Sequence, residues 1–155
     1  MVALGAGEPQ YEQALERLAQ AFAGRVLFQG GYSEELAHWI EAASDMFLMP
    51  SLYEPCGLNQ MYSLRYGTVP IVRKAGGLAD SVHLYDPATG RGTGVVFEDF
   101  TAEAFAGALN TALDLYAEPR HWTRMMRNGM AEDFSWERQG AHYVALYQRM
   151  LASPR

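Results

Sequence analysis

Residues 46–77 read MFLMPSLYEPCGLNQMYSLRYGTVPIVRKAGG, and this stretch decides the fold. It begins with a short apolar run at 46–49, continues through good helix formers at 58–66, and ends with a second apolar run at 69–72. Short apolar runs bounded by turn residues are typical of strands buried inside a sheet. Because a helix lies between the two strands, the stretch predicts a right-handed β-α-β unit with parallel strands.

The same alternation of strand and helix extends in both directions. Apolar runs at 2–6 and 26–28 are each followed by apolar residues at helical spacing. Downstream, a run at 94–97 leads through Thr101 into a helix predicted over 102–116. Short buried strands that alternate with longer helices predict a Rossmann-like α/β fold, in which helices cover both faces of a parallel sheet.

The C-terminal part of the sequence changes to helices only. Helices are predicted over 119–131 and 136–151. Ser135 is the expected N-cap of the second one, as Ser33 is for the helix that follows it. Pro and Gly among polar residues make 86–93 the one segment that we expect to be flexible.

Composition and charge limit the possible partners. The chain has 155 residues, of which 49% are hydrophobic, enough to bury one core, so we expect a single domain over 1–155. Its formal net charge is −6. Neither nucleic acid nor an anionic membrane is an expected partner at this charge, and no apolar run is long enough to span a bilayer. The one cysteine, Cys56, excludes a disulfide framework within the chain and favours a reducing compartment, by default the cytoplasm. No metal site is predicted, because the four histidines lack metal-ligand spacing.

The candidate site follows the strand ends, where ligands collect in open parallel sheets. The loop after the third predicted strand places Glu54, Cys56 and Gly57 just ahead of a helix. A carboxylate near a helix N-terminus is stabilised in its charged form, so Glu54 would accept hydrogen bonds from sugar hydroxyls. The backbone N–H groups of 57–60 would meanwhile face a diphosphate. Alternatively, Glu54 only caps the helix and Pro55 starts it.

Two other features of these loops each have two interpretations. The pair Gly76 and Gly77 before a helix permits either a tight turn or the close approach of a ligand to the backbone. Cys56 could be a nucleophile, but no histidine is close to it in sequence, and a lone cysteine is more often a small buried apolar residue. We therefore expect its backbone to matter more than its sulfur.

Taken together, these segments carry a long family signature. The runs YEPCGLNQMYSLRYGTVP at 53–70 and GGLADSV at 76–82 resemble the signature of bacterial glycogen synthases and plant starch synthases. Agreement continues to GGY at 30–32, GVVF at 94–97 and DFSW at 133–136. On this resemblance the chain looks like the C-terminal half of a two-domain GT-B glycosyltransferase, with extra C-terminal helices.

The resemblance implies an activity and a set of site residues. The activity is the retaining transfer of glucose from ADP-glucose to the non-reducing 4-OH of an α-1,4-glucan, without a further cofactor. Glu54 matches the family glutamate at the donor glucose and is the candidate catalytic residue. The other donor-site residues that the resemblance assigns are Tyr32 on adenine, Cys56 and Gly57 at the glucose, Leu58, Asn59 and Gln60 at the diphosphate and ribose, and Gly76 and Gly77.

Parts of the family's machinery do not lie in this chain. The resemblance implies an N-terminal domain that binds the glucan acceptor, and a basic Arg and Lys pair that neutralises the departing diphosphate. Arg65, Arg73 and Lys74 are not matches for that pair. Many related transferases have a second glutamate where this chain has Tyr62, as the synthase subgroup does, and this leaves the ribose contact unassigned. We therefore expect the chain to lack the first βα unit of its domain and to be inactive by itself.

Two alternatives stay open at this point. One is a non-catalytic nucleotide-binding or interaction module, and the other is a related transferase that uses UDP-glucose, since few contacts distinguish adenine from uracil. The sequence begins abruptly at a strand, which favours a part of a larger enzyme over a self-sufficient module.

Overall fold

The structure, a computed structural model, describes residues 1–152. Strands and helices alternate through the first five strands and then give way to helices, as the sequence predicts. The elements are β1 (Val2–Gly5), α1 (Pro9–Ala21), β2 (Leu27–Gly30), α2 (Glu34–Ala43), β3 (Met46–Met49), α3 (Asn59–Tyr66), β4 (Val69–Arg73), α4 (Gly77–Ser81), β5 (Val95–Phe97), α5 (Ala102–Tyr116), α6 (Pro119–Met130) and α7 (Trp136–Ala152).

The chain divides into two compact units, each with its own parallel sheet. The first unit, Met1–Ser44, contains β1 paired with β2, and the second, which begins at Asp45, contains three strands in the order β3-β4-β5. All three strand pairs are parallel, as the sequence predicts, and Met46 pairs with Val69 in the second sheet. A single domain over residues 1–155 stays a prediction.

The core of the second unit surrounds its central strand, β4. Successive side chains of a strand point to opposite faces, and the first four residues of β4 are buried. Ile71 packs with residues of β5 and α5, while Val69 packs with Trp122 and Met125 of α6. Val72 packs on the other face with residues of α4. Helices therefore cover both faces of this sheet, as predicted.

Side-chain caps fix the starts of three helices. The hydroxyl oxygens of Ser33 and Ser135 accept hydrogen bonds from backbone N–H groups three residues later, at 3.2 and 3.4 Å. Thr101 does the same at the start of α5, at 3.1 Å. Such a cap satisfies one of the N–H groups that a helix N-terminus leaves without a partner. Both predicted serine caps are confirmed.

The segment 86–93, predicted to be flexible, is instead a hydrogen-bonded turn. The Asp86 carboxylate accepts hydrogen bonds from the Ala88 backbone at 2.9 Å and the Thr89 hydroxyl at 2.8 Å. The Thr89 hydroxyl, followed by the Ala88 N–H, lowers the pKa of Asp86 below its ordinary value. From α6, the Asn128 amide donates to two carbonyl oxygens of the turn, at 2.9 and 2.8 Å. Polar side chains of the turn and of α6 thus hold this segment through hydrogen bonds that its Gly and Pro content did not predict.

The C-terminal helix, α7, differs from the other long helices of the second unit. None of its residues is buried, and Trp136, Tyr147 and Leu151 are among its exposed apolar side chains. In the part of the chain that the structure describes, no helix has both the length and the apolar character needed to cross a membrane.

Candidate functional site

The loop between β3 and α3 ends in a helix start that carries no side-chain cap. Leu58 is the N-cap residue, and its carbonyl accepts the first helical hydrogen bonds, from Met61 at 2.9 Å and Tyr62 at 3.0 Å. The alternative in which Glu54 caps this helix and Pro55 starts it is therefore wrong. Because residues 59 and 60 lie in the first turn, their N–H groups have no acceptor within the helix and are open to an anion.

The backbone and the side chain of Glu54 have different environments in this loop. Its backbone carbonyl accepts a hydrogen bond from the Gly77 N–H at 3.2 Å, which connects the loop to the start of α4. Its side chain is half-buried. Among residues 1–152, no hydrogen-bond donor or cation is paired with its carboxylate. The main chain of Glu54 is fixed by protein, and the carboxylate is left for a ligand.

Gly76 and Gly77 allow the two loops to touch through their backbones. Gly76 has φ +47°, and a Cβ atom on it would overlap the Glu54 carbonyl oxygen. A Cβ atom on Gly77 would lie 2.6 Å from the Cα of Cys56. The close approach that these glycines permit is therefore made by the neighbouring protein loop.

The side chain of Gln60 faces the protein interior. It is fully buried, and its amide nitrogen lies 2.9 Å from the Cys56 carbonyl oxygen, 3.1 Å from that of Gly57 and 3.0 Å from the Ser81 hydroxyl. Gly57 has φ +73°, and a Cβ atom there would overlap the Gln60 amide oxygen. Of Gln60, only the backbone N–H is left to face a ligand.

The remaining candidate residues are exposed. Leu58 and Asn59 are both exposed, at the outer end of α3. Cys56 is a free, exposed cysteine, so the expectation of a small buried apolar residue is wrong. In the first unit, Tyr32 follows β2 and Gly31, and its side chain is 87% exposed. A ring this exposed contributes little to the core, and its flat face is free to stack.

Sequence reasoning missed the part that Arg73 plays in this loop. At the end of β4, its guanidinium donates to the carbonyl oxygens of Leu52 at 2.9 Å and Ser51 at 3.3 Å, and to that of Glu98 at 3.0 Å. It also lies over the Phe100 ring, 5.5 Å from its centre. Arg73 thus fixes the start of the loop that carries Glu54. The sequence signal that could have indicated this role was the position of Arg73 at the end of an apolar run that predicts a buried strand.

The neighbouring cation, Lys74, is held by an ion pair. Its ammonium lies 2.6 Å from a Glu98 carboxylate oxygen, and the resulting hydrogen bond, with the attraction between the charges, lowers the pKa of Glu98. Arg73, at the end of β4, and Lys74, directly after it, are therefore both engaged with protein partners.

Two apolar cavities do not include Glu54 in their lining. One, of about 270 Å³, is lined by Pro50, Phe97, Phe100 and Phe105 among others, and one of about 190 Å³ lies in the first unit beside β1. Within residues 1–152, His, Cys, Asp and Glu side chains form no group of three or more that could hold a metal ion. The loop before α3 remains the candidate site.

Comparison with known proteins identifies the family of this chain. Residues 2–129 match the family model described as glycosyl transferases group 1. The chain is 50% identical over 148 residues to the glycogen synthase of Koribacter versatilis, covering 96% of this chain and 31% of that protein. It is 53% identical over 150 residues to the glycogen synthase of Anaeromyxobacter dehalogenans, covering 97% of this chain and 31% of that protein.

A solved structure shares the architecture. The catalytic domain of starch synthase IV from Arabidopsis thaliana, bound to ADP and acarbose, matches with a TM-score of 0.84 and 38% identity, over 98% of this chain and 32% of that one. This match confirms the predicted Rossmann-like α/β fold. The chain spans about a third of the length of the curated relatives it matches. It belongs to the group 1 family of glycosyltransferases.

Proposed function

We propose that this chain is the donor-binding part of a retaining glycosyltransferase that moves glucose from ADP-glucose to the non-reducing 4-OH of an α-1,4-glucan. The observation that carries the proposal is the loop before α3, where the Glu54 carboxylate has no partner among residues 1–152 and precedes a helix N-terminus without a side-chain cap. Similarity to glycogen synthases along nearly the whole chain supports glucose as the transferred sugar.

The groups of the loop are suited to the two halves of a nucleotide sugar. A carboxylate accepts hydrogen bonds from sugar hydroxyls, and Glu54 is the acceptor available here. Backbone N–H groups at the start of a helix bind phosphate oxygens, and those of Asn59 and Gln60 are in that position. Exposed Cys56 and Leu58 and half-buried Gly57 offer main chain to the donor between these ends.

The chemical step requires charges of both signs. In the proposed mechanism the bond from glucose to ADP breaks through an oxocarbenium-like transition state, and the negative charge of Glu54 stabilises the positive sugar. The departing diphosphate needs preorganised positive charge, and Arg73 and Lys74 are already held by Leu52, Ser51 and Glu98. We propose that an N-terminal domain of the complete protein supplies the acceptor site and completes a closed cleft. The single cysteine supports a reducing, cytoplasmic setting.

Donor choice and the need for a second domain are tested together. The complete polypeptide that contains this chain should transfer labelled glucose from ADP-glucose to glycogen, and UDP-glucose should support a rate at least about tenfold lower, since one good base contact is worth roughly 1.4 kcal/mol. The 155-residue chain alone should transfer none above a no-protein control. Equal rates with the two donors would favour the UDP-glucose alternative, and a complete protein that binds ADP without transfer would favour a non-catalytic module.

Tyr32 is proposed to stack on the adenine ring. Replacing Tyr32 by Ala in the complete protein should weaken ADP binding by about 5- to 150-fold, because stacking of a base on an aromatic ring is worth roughly 1–3 kcal/mol. Tyr32→Phe keeps the ring and should bind ADP nearly as the parent does. Calorimetric titration measures all three proteins. Equal affinity after Tyr32→Ala would remove this residue from the site, and the 87% exposure of the ring means that neither change should disturb folding.

A further inference from the structure

Gln60 is a polar side chain that the fold buries completely and surrounds with main chain. Its amide nitrogen contacts the carbonyl oxygens of Cys56 and Gly57, at 2.9 and 3.1 Å, and the Ser81 hydroxyl at 3.0 Å. A side-chain amide nitrogen has two hydrogens to donate. All three contacts therefore compete for the same donor group, which holds these acceptors around one point.

The contacts of Gln60 set the direction of the loop's free N–H groups. In a planar trans peptide, the N–H of one residue points opposite to the carbonyl of the residue before it. Because the carbonyls of Cys56 and Gly57 turn inward to Gln60, the N–H groups of Gly57 and Leu58 turn away from it. The buried amide thus points two backbone donors out of the loop, on the side away from the core.

Ser81 connects the same amide to the second loop. Its hydroxyl donates to the Gly77 carbonyl at 2.6 Å and therefore accepts from Gln60. The Gly77 N–H in turn donates to the Glu54 carbonyl at 3.2 Å. A chain of hydrogen bonds thus runs from Gln60 through Ser81 and Gly77 to the main chain of Glu54, without passing along α3.

We infer that Gln60 and Ser81 are positioning residues for transfer from the nucleotide sugar. Their side chains orient the N–H groups of Gly57 and Leu58 and fix the backbone of Glu54, while neither side chain touches the donor. This inference rests on the proposed function for the identity of the donor. The hydrogen bonds of Gln60 and Ser81 from which it is argued do not depend on which donor is bound.

The main test replaces Gln60 by Glu in the complete protein. Gln60→Glu keeps the shape of the side chain, removes its N–H donors and sets a carboxylate against two carbonyl oxygens. The kcat/KM for ADP-glucose should fall about tenfold or more, while the KM for glycogen stays at the parent value. Ser81→Ala leaves the amide in place, and we expect a smaller loss of about threefold.

A pH series gives a signature that loss of stability alone does not produce. Burial favours the protonated form of a carboxyl group, and protonated Glu at position 60 regains one O–H donor for a loop carbonyl. The partners of residue 60 are two carbonyls and a hydroxyl, none of which gains or loses a proton over the pH range of the assay. The ratio of variant to parent kcat/KM should therefore rise as the pH is lowered.

Thr101→Ala is the matched control, because it removes the cap of α5 and lies outside the candidate site. It should lower the melting temperature and leave kcat/KM for ADP-glucose unchanged. If Gln60→Glu and Ser81→Ala also keep kcat/KM within about twofold of the parent, the positioning role is overturned.

A parent protein that does not use ADP-glucose would defeat the proposed function instead. In that case amide hydrogen exchange at Gly77 still tests the positioning network, since its N–H is bonded to Glu54. Exchange should be faster in Gln60→Glu than in Thr101→Ala, and equal exchange in the two variants overturns the inference. Ser81→Ala supplies the same comparison if Gln60→Glu does not fold.

Discussion

Replacement of Glu54 by Gln in the complete protein should lower kcat by about 10²-fold or more, which corresponds to roughly 2.7 kcal/mol of the barrier. The substitution keeps the shape of the side chain and some of its hydrogen bonding but removes the negative charge that the proposed transition state needs. The affinity for ADP itself should barely change, because Glu54 would face the sugar. Steady-state kinetics and calorimetric titration on the same protein measure both quantities.

Stability provides the internal check on this result. The Glu54 carboxylate has no partner among the described residues, so its loss should leave the melting temperature nearly unchanged. Glu98→Gln is a suitable control, since it removes an exposed carboxylate of the same unit that pairs with Lys74 and should keep kcat at the parent value. Near-normal turnover of Glu54→Gln would end the catalytic role proposed for this residue.

Gly76→Ala should have the largest effect on stability of the changes considered. Gly76 has φ +47° and ψ −131°, a sparsely populated backbone conformation that costs an L-residue roughly 1–3 kcal/mol, and the added methyl would overlap the Glu54 carbonyl oxygen. Overpacking adds roughly 1–3 kcal/mol, so the free energy of unfolding should fall by about 3 kcal/mol. Because the loop must move to admit the methyl, kcat/KM for the donor should fall as well. Denaturant unfolding and kinetics measure the two losses.

Gly107→Ala is the control for this substitution. Gly107 lies in α5, and a Cβ atom built on it meets nothing within 4 Å. Ala is favoured over Gly in a helix, so this change should be neutral or raise the free energy of unfolding by about 0.5–1 kcal/mol. If Gly76→Ala unfolds at the same denaturant concentration as the parent, the backbone contact between the two loops is not tight.

Local sequence signals predicted the elements well, because they depend on few neighbours. Apolar periodicity placed α5 at the observed bounds, Ala102–Tyr116, and put the ends of α6 and α7 within one residue. The serine caps are equally local, since each hydroxyl reaches only three residues along the chain. The short helix α4 has five residues, too few for an apolar period to give its bounds.

The errors concern contacts between parts that are distant in sequence. The local sequence does not say which way the Gln60 side chain turns, and it turns inward to Ser81, which lies 21 positions later in the sequence and beside it in space. The start of α3 was uncertain because Pro at a first helical position is common, and here the chain turns past Pro55 before the helix begins. Nothing in the local pattern distinguishes these outcomes.

The way this loop is anchored leaves one side chain available for spectroscopy. Cys56 is held through its carbonyl oxygen and by the glycine packed against its Cα, while its thiol is free and exposed. It is the single cysteine among the 155 residues. A thiol-reactive fluorophore attached there would sit within two residues of Glu54 without competing for the bonds that hold the loop, and its emission would report events at the sugar end of the site in real time.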